Sequence, residues 1–413
     1  MRLLFLTNFF PPASFGGYEQ WCLEVMEGLK KRGHEIFVLT SRYRRNDTML
    51  SESENIYRDL YLEMDFISFR NALTFFTHRP ARERANLWQL KQKINDVKPD
   101  ILVIWGMWNL NKSLAAYGEK LMPERTAYYI ADYWPFLPDQ YENYWRASAH
   151  NWAVKLPKSI LSNYALRKMG RDKAPVVEFA HVMIPSVFMR DDLLRKNLSV
   201  KQTNVVYGAI DTKLYNSQSK RHHTPQKDKI SLLYVGRLTH DKGVHTAIHA
   251  LNELVNNRGY TCLDMKIIGK GDIDYEAKLR DQVNEASLGQ YVSFVGNQTK
   301  EDMPDHYQQA DIFLFTSIWE EPFGRVIVEA MASSVAVVGT ATGGAKEILL
   351  NEKNGLTYPP EDVAALTDQL IRLIESPTLR RCLAEAGYKT AVNKFDICRM
   401  TNEIESNIIS MVN

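Results

Sequence analysis

Short apolar runs alternate with longer amphipathic segments along the first half of the chain. The runs are rich in β-branched or aromatic residues, and the segments between them have helical periodicity, as at Glu19–Lys31. Such runs are typical of parallel strands that are covered on both faces. We therefore predict strands at Leu3–Leu6, Ile36–Thr40, Ile101–Trp105, Ala127–Ile130, Val176–Ala180 and Asn204–Tyr207.

The same alternation begins again after a polar stretch. Residues Leu214–Lys229 have no apolar periodicity and are interpreted as a linker or a long surface loop. Two such series indicate an α/β chain of two Rossmann-like, doubly wound domains that face each other across a cleft. We place the domains at residues 1–212 and 213–395, followed by a last segment at 396–413. In the second series we predict strands at Ser231–Val235, Met265–Ile268, Val292–Val295, Ile312–Thr316 and Val335–Val338, and a final helix at Met400–Val412.

Length and composition agree with two globular domains. A chain of 413 residues is too long for one ordinary core, and its 45% hydrophobic and 24% charged residues are typical of a globular protein. The net charge of +2 is too small to indicate a nucleic-acid partner. The apolar start is short, so we interpret it as a strand rather than a signal peptide. The four cysteines lack metal-ligand spacing, and we therefore expect a cytoplasmic protein.

The loop after the first strand contains Gly16-Gly17 directly before a helix. Two glycines let the backbone approach a ligand and leave helix N–H groups for an anion, but they also suit an ordinary tight turn. The G-x-G-x-x-G and Walker patterns are both missing. The second strand also ends in Ser41 and Arg42, where a dehydrogenase needs an acidic residue. A nicotinamide dehydrogenase and a P-loop nucleotidase are therefore disfavoured.

Two cations follow the first strand of the second domain. Arg237 and Lys242 come just after Val235, at the end of a strand where open α/β sheets bind ligands. A guanidinium fork and an ammonium group can together neutralise a diphosphate. The alternative is that both are solvated loop charges. Further anion-binding features in the same domain favour the diphosphate.

A carboxylate lies in the middle of an apolar helix. The predicted helix Arg325–Ala332 contains Glu329, and Glu321 lies in the loop before it. A buried carboxylate is costly unless something pairs with it. One explanation is an ion pair with Arg325, although a cation on the N-terminal side is the less favourable order. The other is that the helix start binds an anion while Glu321 and Glu329 accept hydrogen bonds from hydroxyl groups.

The spacing Glu321-x7-Glu329, with Pro322-Phe323-Gly324 between, resembles the signature of the family 4 retaining glycosyltransferases, which have the GT-B fold. The resemblance covers nearly the whole chain and is strongest over Ser231–Pro360. The other matching motifs are Gly16-Gly17-Tyr18-Glu19, Val235-Gly236-Arg237-Leu238, Lys242-Gly243, Ile268-Gly269-Lys270-Gly271 and Thr342-Gly343-Gly344-Ala345-Lys346-Glu347.

This resemblance implies a nucleotide diphosphate sugar as co-substrate and no other cofactor. It implies that Glu329 binds the ribose, that Glu321 binds the transferred sugar, and that Arg237 and Lys242 bind the diphosphate. Arg237, Lys242 and Glu321 are thus the candidate catalytic residues. The other donor contacts that it implies are Gly16 and Gly17 in the first domain, Gly296 and Asn297 near the base, and the backbone of Phe323, Gly324, Arg325 and Val326.

The resemblance also implies the reaction. A hexosyl group would pass, with retention and without a metal ion, to a glycan, lipid-linked or small-molecule acceptor in cell-envelope or polysaccharide synthesis. The last helix would cross back to the first domain. Other activities on this scaffold are a sugar-nucleotide epimerase, a phosphorylase with a lysine-bound pyridoxal phosphate, or a non-catalytic nucleotide-sugar-binding subunit. The intact set of Arg237, Lys242, Glu321 and Glu329 argues against the last of these.

Some positions depart from the family pattern. Asp132 stands where many members have a histidine near the sugar, and Trp105 lies where a histidine pair is common. Asp132 could bind a sugar hydroxyl or the acceptor. Trp105 and Trp134 could stack on a sugar ring or pack in the core. His245 and His249 are four residues apart on a helix but lack a third ligand in the sequence, so no metal site is predicted.

The segment 144–173 combines basic, aromatic and aliphatic residues. This mixture suits a segment that rests on anionic lipid headgroups. The alternative is an ordinary surface helix on the acceptor side of the cleft, because Pro157 and Gly170 interrupt a long amphipathic helix. The sequence thus predicts a cytoplasmic enzyme, either fully soluble or peripheral on the inner face of the membrane.

Overall fold

The computed structural model describes residues 1–13, 16–43, 55–64, 68–148, 152–170, 175–216 and 229–412, and for 68–70 and 152–154 the backbone alone. The chain divides into two compact units. The first comprises Met1–Ile184, Arg190–Val206 and Thr401–Asn413, and the second comprises Pro185–Met189 and Tyr207–Met400.

The first unit is built on a parallel sheet of seven strands in the order β3-β2-β1-β4-β5-β6-β7. Leu3, Leu4, Phe5 and Leu6 of the central strand are all fully buried, as expected for a strand covered on both faces. The strands are β1 (Arg2–Leu6), β2 (Glu35–Ser41), β3 (Ile56–Leu60), β4 (Ile101–Ile104), β5 (Thr126–Tyr129), β6 (His181–Ile184) and β7 (Gln202–Val205). The helices are α1 (Gly17–Lys31), α2 (Ser68–Thr77), α3 (Arg79–Val97), α4 (Ser113–Leu121), α5 (Gln140–Arg146), α6 (Trp152–Met169) and α7 (Val187–Arg195), the last of which begins in the second unit.

The second unit is built on a parallel sheet of six strands in the order β10-β9-β8-β11-β12-β13. The strands are β8 (Ile230–Val235), β9 (Leu263–Ile268), β10 (Val292–Gly296), β11 (Ile312–Phe315), β12 (Ala336–Thr340) and β13 (Leu356–Tyr358). The helices are α8 (Thr212–Tyr215), α9 (Val244–Asn252), α10 (Ile273–Glu285), α11 (Met303–Gln309), α12 (Arg325–Ala332), α13 (Val363–Glu375), α14 (Pro377–Lys394) and α15 (Ile397–Ser410). Two short 3-10 turns, His240–Lys242 and Gly343–Glu347, and a π-helical turn at Glu253–Asn257 complete it.

The last helix, α15, confirms the predicted return to the first domain. It begins in the second unit and belongs to the first unit from Thr401 onwards. There the Glu405 carboxylate contacts Arg32 Nη1 at 2.5 Å and His34 Nε2 at 2.8 Å. Ile404 and Ile408, on the same helix, are fully buried.

Three elements of the sheets differ from the prediction. The strand predicted at Val176–Ala180 is wrong: Val176 is 82% exposed, and the strand is the following run His181–Ile184. The short strands β3 and β13 were not predicted. β3 is half-buried and carries Arg58 and Asp59, while β13 has only three residues, so neither has the apolar signal of a central strand.

Helix α6 also differs from the prediction. It continues through Pro157, which was expected to interrupt it, and ends just before Gly170. Of the predicted linker, Leu214 and Tyr215 belong to α8, and residues 217–228 lie outside the described part of the chain. Of the predicted membrane segment, residues 149–151 and 171–173 and the side chains of 152–154 also lie outside it.

Candidate functional site

Each sheet has one point where the strand order reverses. In the second unit this point lies between β8 and β11, because the chain runs outward from β8 to β10 and then returns to β11 on the other side. In the first unit it lies between β1 and β4. Ligands of open α/β sheets bind beyond the carboxyl ends of the strands at such points. Lys242 follows β8 and Glu321 follows β11, so these two predicted residues flank the reversal in the second unit.

Lys242 and Glu321 contact each other directly. The Lys242 Nζ atom lies within bonding distance of Glu321 Oε1, and both side chains are largely buried. The Ser317 hydroxyl donates a hydrogen bond of 3.0 Å to the same carboxylate oxygen. Lys242 Nζ also lies 5.1 Å from the centre of the Trp319 ring. The resemblance implied that Lys242 binds the diphosphate and that Glu321 binds the sugar. In this structure the two side chains form an ion pair with each other.

The loop that carries Glu321 is held by glycines from a second loop. Gly343 has a φ of +54°, and a Cβ atom there would lie 2.5 Å from the Glu321 carbonyl oxygen. The Gly344 N–H donates to that same oxygen at 2.7 Å. Because a larger residue would displace the loop, the Gly343-Gly344 motif positions Glu321 through its backbone.

Glu329 has two partners that explain its burial. It is only 7% exposed, and Arg325 Nε contacts its Oε1 atom at 2.9 Å. The Tyr307 hydroxyl donates to its Oε2 atom at 2.9 Å. Burial and the nearby Glu329 carboxylate hold the pKa of Tyr307 well above its usual value, so this phenol stays protonated and remains a donor. The ion pair with Arg325 that the sequence allowed is therefore present, and Tyr307 is a partner that the sequence did not reveal.

Arg237 is exposed in the loop after β8. Its carbonyl oxygen accepts a 3.0 Å hydrogen bond from the Tyr234 hydroxyl, which fixes the backbone from which the guanidinium extends. Gly269 packs against this loop with a φ of +137°, and a Cβ atom there would lie 1.9 Å from the Gly236 carbonyl oxygen. The Ile268-Gly269 motif thus allows the loops after β8 and β9 to approach closely.

The remaining candidates of the second unit differ in exposure. Asn297 is exposed after β10, and the Gly296 carbonyl oxygen accepts from the Gly269 N–H at 2.9 Å. Phe323 is 2% exposed, and its ring packs against Phe395 at 5.5 Å between ring centres. Its side chain is therefore part of the core. Gly324, Arg325 and Val326 form the start of α12, where Gly324 has a φ of +110°.

In the first unit, Trp105 and Trp134 are core residues. Trp105 is fully buried and stacks on Tyr129 with 4.4 Å between ring centres. Trp134 is 2% exposed and packs against Phe179 at 5.6 Å. The core-packing alternative therefore describes both tryptophans.

Asp132 is partly buried after β5, and its Oδ1 atom accepts a 3.0 Å hydrogen bond from the Trp134 N–H. Burial raises the pKa of Asp132 to about 7, and the nearby carboxylate of Glu19 adds to the rise. Glu19 itself accepts from the Gly16 N–H at 3.0 Å, just before α1. The Gly16-Gly17 turn and Asp132 therefore belong to one acidic region of the first unit.

A cavity of about 610 Å³ opens in the first unit, and its wall joins Trp134 and parts of the segment 144–173 to residues that the sequence did not single out. Aromatic and apolar side chains, including Phe75, Met107 and Trp108, form part of its wall. Arg79 in the wall contacts Glu83 at 3.0 Å and Asp139 at 3.3 Å. No motif marks these residues, because helices α2 and α3 and the loops after different strands bring them together.

Several charges of the cavity wall are paired. Arg146 contacts Glu142 at 2.8 Å, and Lys112 Nζ donates to the Pro135 carbonyl oxygen at 2.7 Å. Burial, together with the neighbouring Asp139 carboxylate, raises the pKa of Glu63 to about 8. Glu63 is therefore mostly protonated at neutral pH and can donate as well as accept a hydrogen bond.

The fold is that of a two-domain α/β protein, and charged residues follow the two strands that flank the strand-order reversal of the second unit. The family model for Glycosyltransferase Family 4 matches residues 15–214, and the model for Glycosyl transferases group 1 matches residues 216–390. The chain belongs to the family 4 glycosyltransferases and has the GT-B fold.

Individual relatives are distant. An uncharacterized glycosyltransferase of Methanocaldococcus jannaschii is 24% identical over 410 residues, which are 96% of this chain and 94% of that protein. The capsular polysaccharide biosynthesis glycosyltransferase CapM of Staphylococcus aureus is 28% identical over 191 residues, which are 46% of this chain and 49% of CapM. The structure of the Anabaena protein HepE in complex with UDP-glucose superposes with a TM-score of 0.71 at 20% identity, covering 99% of this chain and 100% of HepE.

We find no helix within the described ranges that has both the length and the apolar character needed to cross a bilayer.

Proposed function

We propose that the protein is a retaining hexosyltransferase that uses a nucleotide diphosphate sugar and needs no metal ion for the transfer. The observation that carries the proposal is the contact between Lys242 and Glu321 at the strand-order reversal of the second unit. A cation for the diphosphate and a carboxylate for the sugar are thus adjacent, and Glu329 lies on the helix that follows. The name of CapM supports polysaccharide synthesis, and the HepE complex makes UDP-glucose the first donor to test.

Donor binding would exchange the partners of these residues. The diphosphate carries more negative charge than one carboxylate, so Lys242 would bind the diphosphate instead of Glu321. Arg237 would add a second cation. Glu321 would then be free to accept hydrogen bonds from the hydroxyl groups of the sugar. Each oxygen of Glu329 can accept more than the one hydrogen bond described above, so the carboxylate can also accept from the ribose.

In the reaction, the bond between the anomeric carbon and the diphosphate oxygen breaks, and the electron pair leaves with the diphosphate. The acceptor oxygen forms its bond on the same face of the sugar, and its proton passes to an oxygen of the departing diphosphate. The role of the protein is to position both substrates and to stabilise the negative charge on the leaving group. Glu321 anchors the sugar and is not a nucleophile in this scheme.

The cavity of the first unit is the proposed acceptor pocket. Arg79 and Arg146, two of the four cations of its wall, are each paired with a carboxylate, which reduces the positive charge that the wall offers to a phosphate group. Aromatic side chains and paired polar groups suit an uncharged sugar ring, which offers both apolar faces and hydroxyl groups. We therefore propose that the part of the acceptor that enters this cavity is an uncharged sugar unit of a glycan, a lipid-linked glycan or a small glycoside.

The test is acceptor-dependent release of the nucleotide, followed by NMR of the anomeric carbon in the product. Retention gives the same anomeric configuration in the donor and in the product. A changed nucleotide sugar without release of nucleotide would instead show an epimerase, and a requirement for inorganic phosphate would show a phosphorylase. Thermal stabilisation by the donor without any turnover would show a binding subunit.

A further inference from the structure

A second group of ligand-type side chains lies in the second unit, outside the donor residues described above. His240 begins the 3-10 turn His240–Lys242, His245 lies in the first turn of α9, and Glu361 lies shortly before α13. One ligand atom from each of these residues lies within 4.8 Å of the other two. Three nitrogen and oxygen ligands from separate segments thus converge on one place.

His245 is oriented by a neighbour. Its Nδ1 atom lies 2.7 Å from the Tyr275 hydroxyl, and its Nε2 atom lies 3.8 Å from Glu361 Oε1. The His240 ring stacks on the His245 ring with 4.9 Å between ring centres. A histidine that binds a metal usually has its other ring nitrogen in a hydrogen bond, which fixes the ring.

We propose that His240, His245 and Glu361 bind one Zn²⁺ ion, with a water molecule as fourth ligand. Two imidazole nitrogens and one carboxylate oxygen are a ligand set that zinc takes in proteins. Zinc bonds of about 2.0–2.2 Å require ligand atoms roughly 3.3 Å apart. His240 and Glu361 are exposed, so rotation of their side chains can close the present distances. The proposed site therefore contains His245 but not His249, the histidine four residues away that the sequence suggested as its partner. Its other two ligands are His240 and Glu361.

The ion would hold a turn that the donor site depends on. His240 and Lys242 share one short turn, which the hydrogen bond from the Gly243 N–H to the His240 carbonyl oxygen closes at 3.0 Å. Zinc would tie this turn to α9 and to the segment before α13. An ion that binds only the folded chain raises its stability, so zinc should raise the melting temperature.

The experiment uses the full chain without an affinity tag, stripped with a chelator and then freed of it. Zn²⁺ is titrated by calorimetry, and Co²⁺ is titrated by its visible absorption. We expect one ion per chain, the absorption bands of tetrahedral Co²⁺ and a higher melting temperature with zinc. The variants His240→Ala and Glu361→Gln change exposed side chains and should each weaken zinc affinity by about tenfold or more.

The matched control is His249→Ala, which changes an exposed histidine on α9 outside the cluster. It should bind zinc like the unchanged protein, as should the double variant His222→Ala/His223→Ala. The proposal is overturned if the unchanged protein binds no stoichiometric zinc, or if His240→Ala leaves the affinity intact. Strong thiolate absorption of bound Co²⁺ would also overturn it, because the ion would then be bound by exposed cysteines.

Discussion

Glu329 has structural contacts in addition to the ribose contact that we propose for it. Its nearly buried carboxylate is paired with Arg325 and accepts a hydrogen bond from the Tyr307 hydroxyl, and these contacts fix its orientation. Glu321 differs, because we propose that its partner Lys242 binds the diphosphate instead when the donor is present. The two carboxylates should therefore respond differently to substitution.

We expect Glu329→Ala to weaken both the nucleoside diphosphate and the donor sugar nucleotide, by about 1–3 kcal/mol, because hydrogen bonds to the ribose are lost from both ligands. Glu321→Ala should leave the affinity for the nucleoside diphosphate near that of the unchanged protein. The only group that it removes is the carboxylate that competes with the diphosphate for Lys242. It should mainly lower kcat. Calorimetry with the two ligands and steady-state kinetics measure these effects.

Tyr307→Phe is the matched control for Glu329. It removes the hydrogen bond to Oε2 and leaves the carboxylate and Arg325 in place, so its effect on the nucleoside diphosphate should be the smaller one. Equal losses of nucleoside diphosphate affinity in Glu321→Ala and Glu329→Ala would contradict the assignment of Glu321 to the transferred sugar and of Glu329 to the ribose.

Asp132 should make the stability of the protein depend on pH. The folded chain raises the pKa of this carboxyl to about 7, so it keeps its proton where the unfolded chain has lost it. Stability from this group is therefore lost as the pH rises from about 4 towards 7 and is constant above that range. Relative to the unchanged protein, Asp132→Asn should become steadily more stable over this interval. Urea unfolding at several pH values measures the difference.

The comparison of the two proteins cancels the other titrating groups. The amide introduced by Asp132→Asn keeps an oxygen that can accept from the Trp134 N–H, so the local backbone should be preserved. Glu19→Gln, which removes the neighbouring charge, should lower the pKa of Asp132 in the folded chain and move the upper end of the interval to lower pH. A constant stability difference between Asp132→Asn and the unchanged protein from about pH 4 to 8 would refute the shifted pKa.

At the residue scale, the sequence revealed the charged groups but not their partners. Glu321, Glu329 and Lys242 stood out because their motif spacing is specific. Tyr307, on α11, could not be predicted, since only the packing of α11 against α12 brings its hydroxyl to Glu329. For the same reason Glu63 and Asp139, which lie after different elements of the first unit, gave no local signal of a cavity.

At the scale of elements, burial decides which predictions succeed. Helix α12 was predicted at its observed bounds because its apolar run has a single break at Glu329. The wrong strand at Val176–Ala180 shows the limit of the same argument, since an apolar run next to a buried strand gives the same pattern whether or not it pairs. Pro157 shows another limit: proline removes a helix hydrogen bond, but α6 continues through it.

Helix α6 carries an exposed row of apolar side chains. Leu156, Ile160 and Tyr164 are 72%, 65% and 62% exposed, and their spacing of four residues places them on one side of the helix. The basic residues Lys155, Lys158, Arg167 and Lys168 lie among them. We propose that this helix contacts anionic lipid headgroups, because basic residues beside an apolar row suit the membrane interface.

The expected result is co-sedimentation with anionic but not neutral liposomes, weakened by salt because the lysines and arginine act through charge. Replacing Lys155, Lys158, Arg167 and Lys168 by glutamine should remove most of the binding to anionic liposomes. The matched control replaces four exposed lysines elsewhere in the first unit, Lys30, Lys31, Lys91 and Lys120, and should bind like the unchanged protein. Absence of binding at low salt would leave α6 as an ordinary surface helix.

At the scale of the whole molecule, the sequence predicts the two sheets and where their ligands bind. Both series of strands were predicted to form parallel sheets. Lys242 and Glu321 marked the loops after β8 and β11 as candidate binding loops. The strand order itself could not be predicted from one sequence, because short apolar runs do not show which strands pair. That order matters for function, since it places Lys242 and Glu321 on either side of one reversal point.

The proposed charge stabilisation leads to a prediction for the complete enzyme. Arg237, Lys242 and the N–H groups at the start of α12 can together neutralise a diphosphate, so turnover should not require magnesium or manganese. In the His240→Ala variant, which lacks a proposed zinc ligand, we expect the rate in the presence of a chelator to stay within about twofold of the rate without it, since no step of the transfer passes through an ion. Acceptor-dependent nucleotide release measures the rate, and the His240→Ala variant controls for loss of zinc from the proposed site beside Lys242. If a chelator abolishes turnover in that variant, and magnesium or manganese restores it, the metal-independent mechanism is wrong.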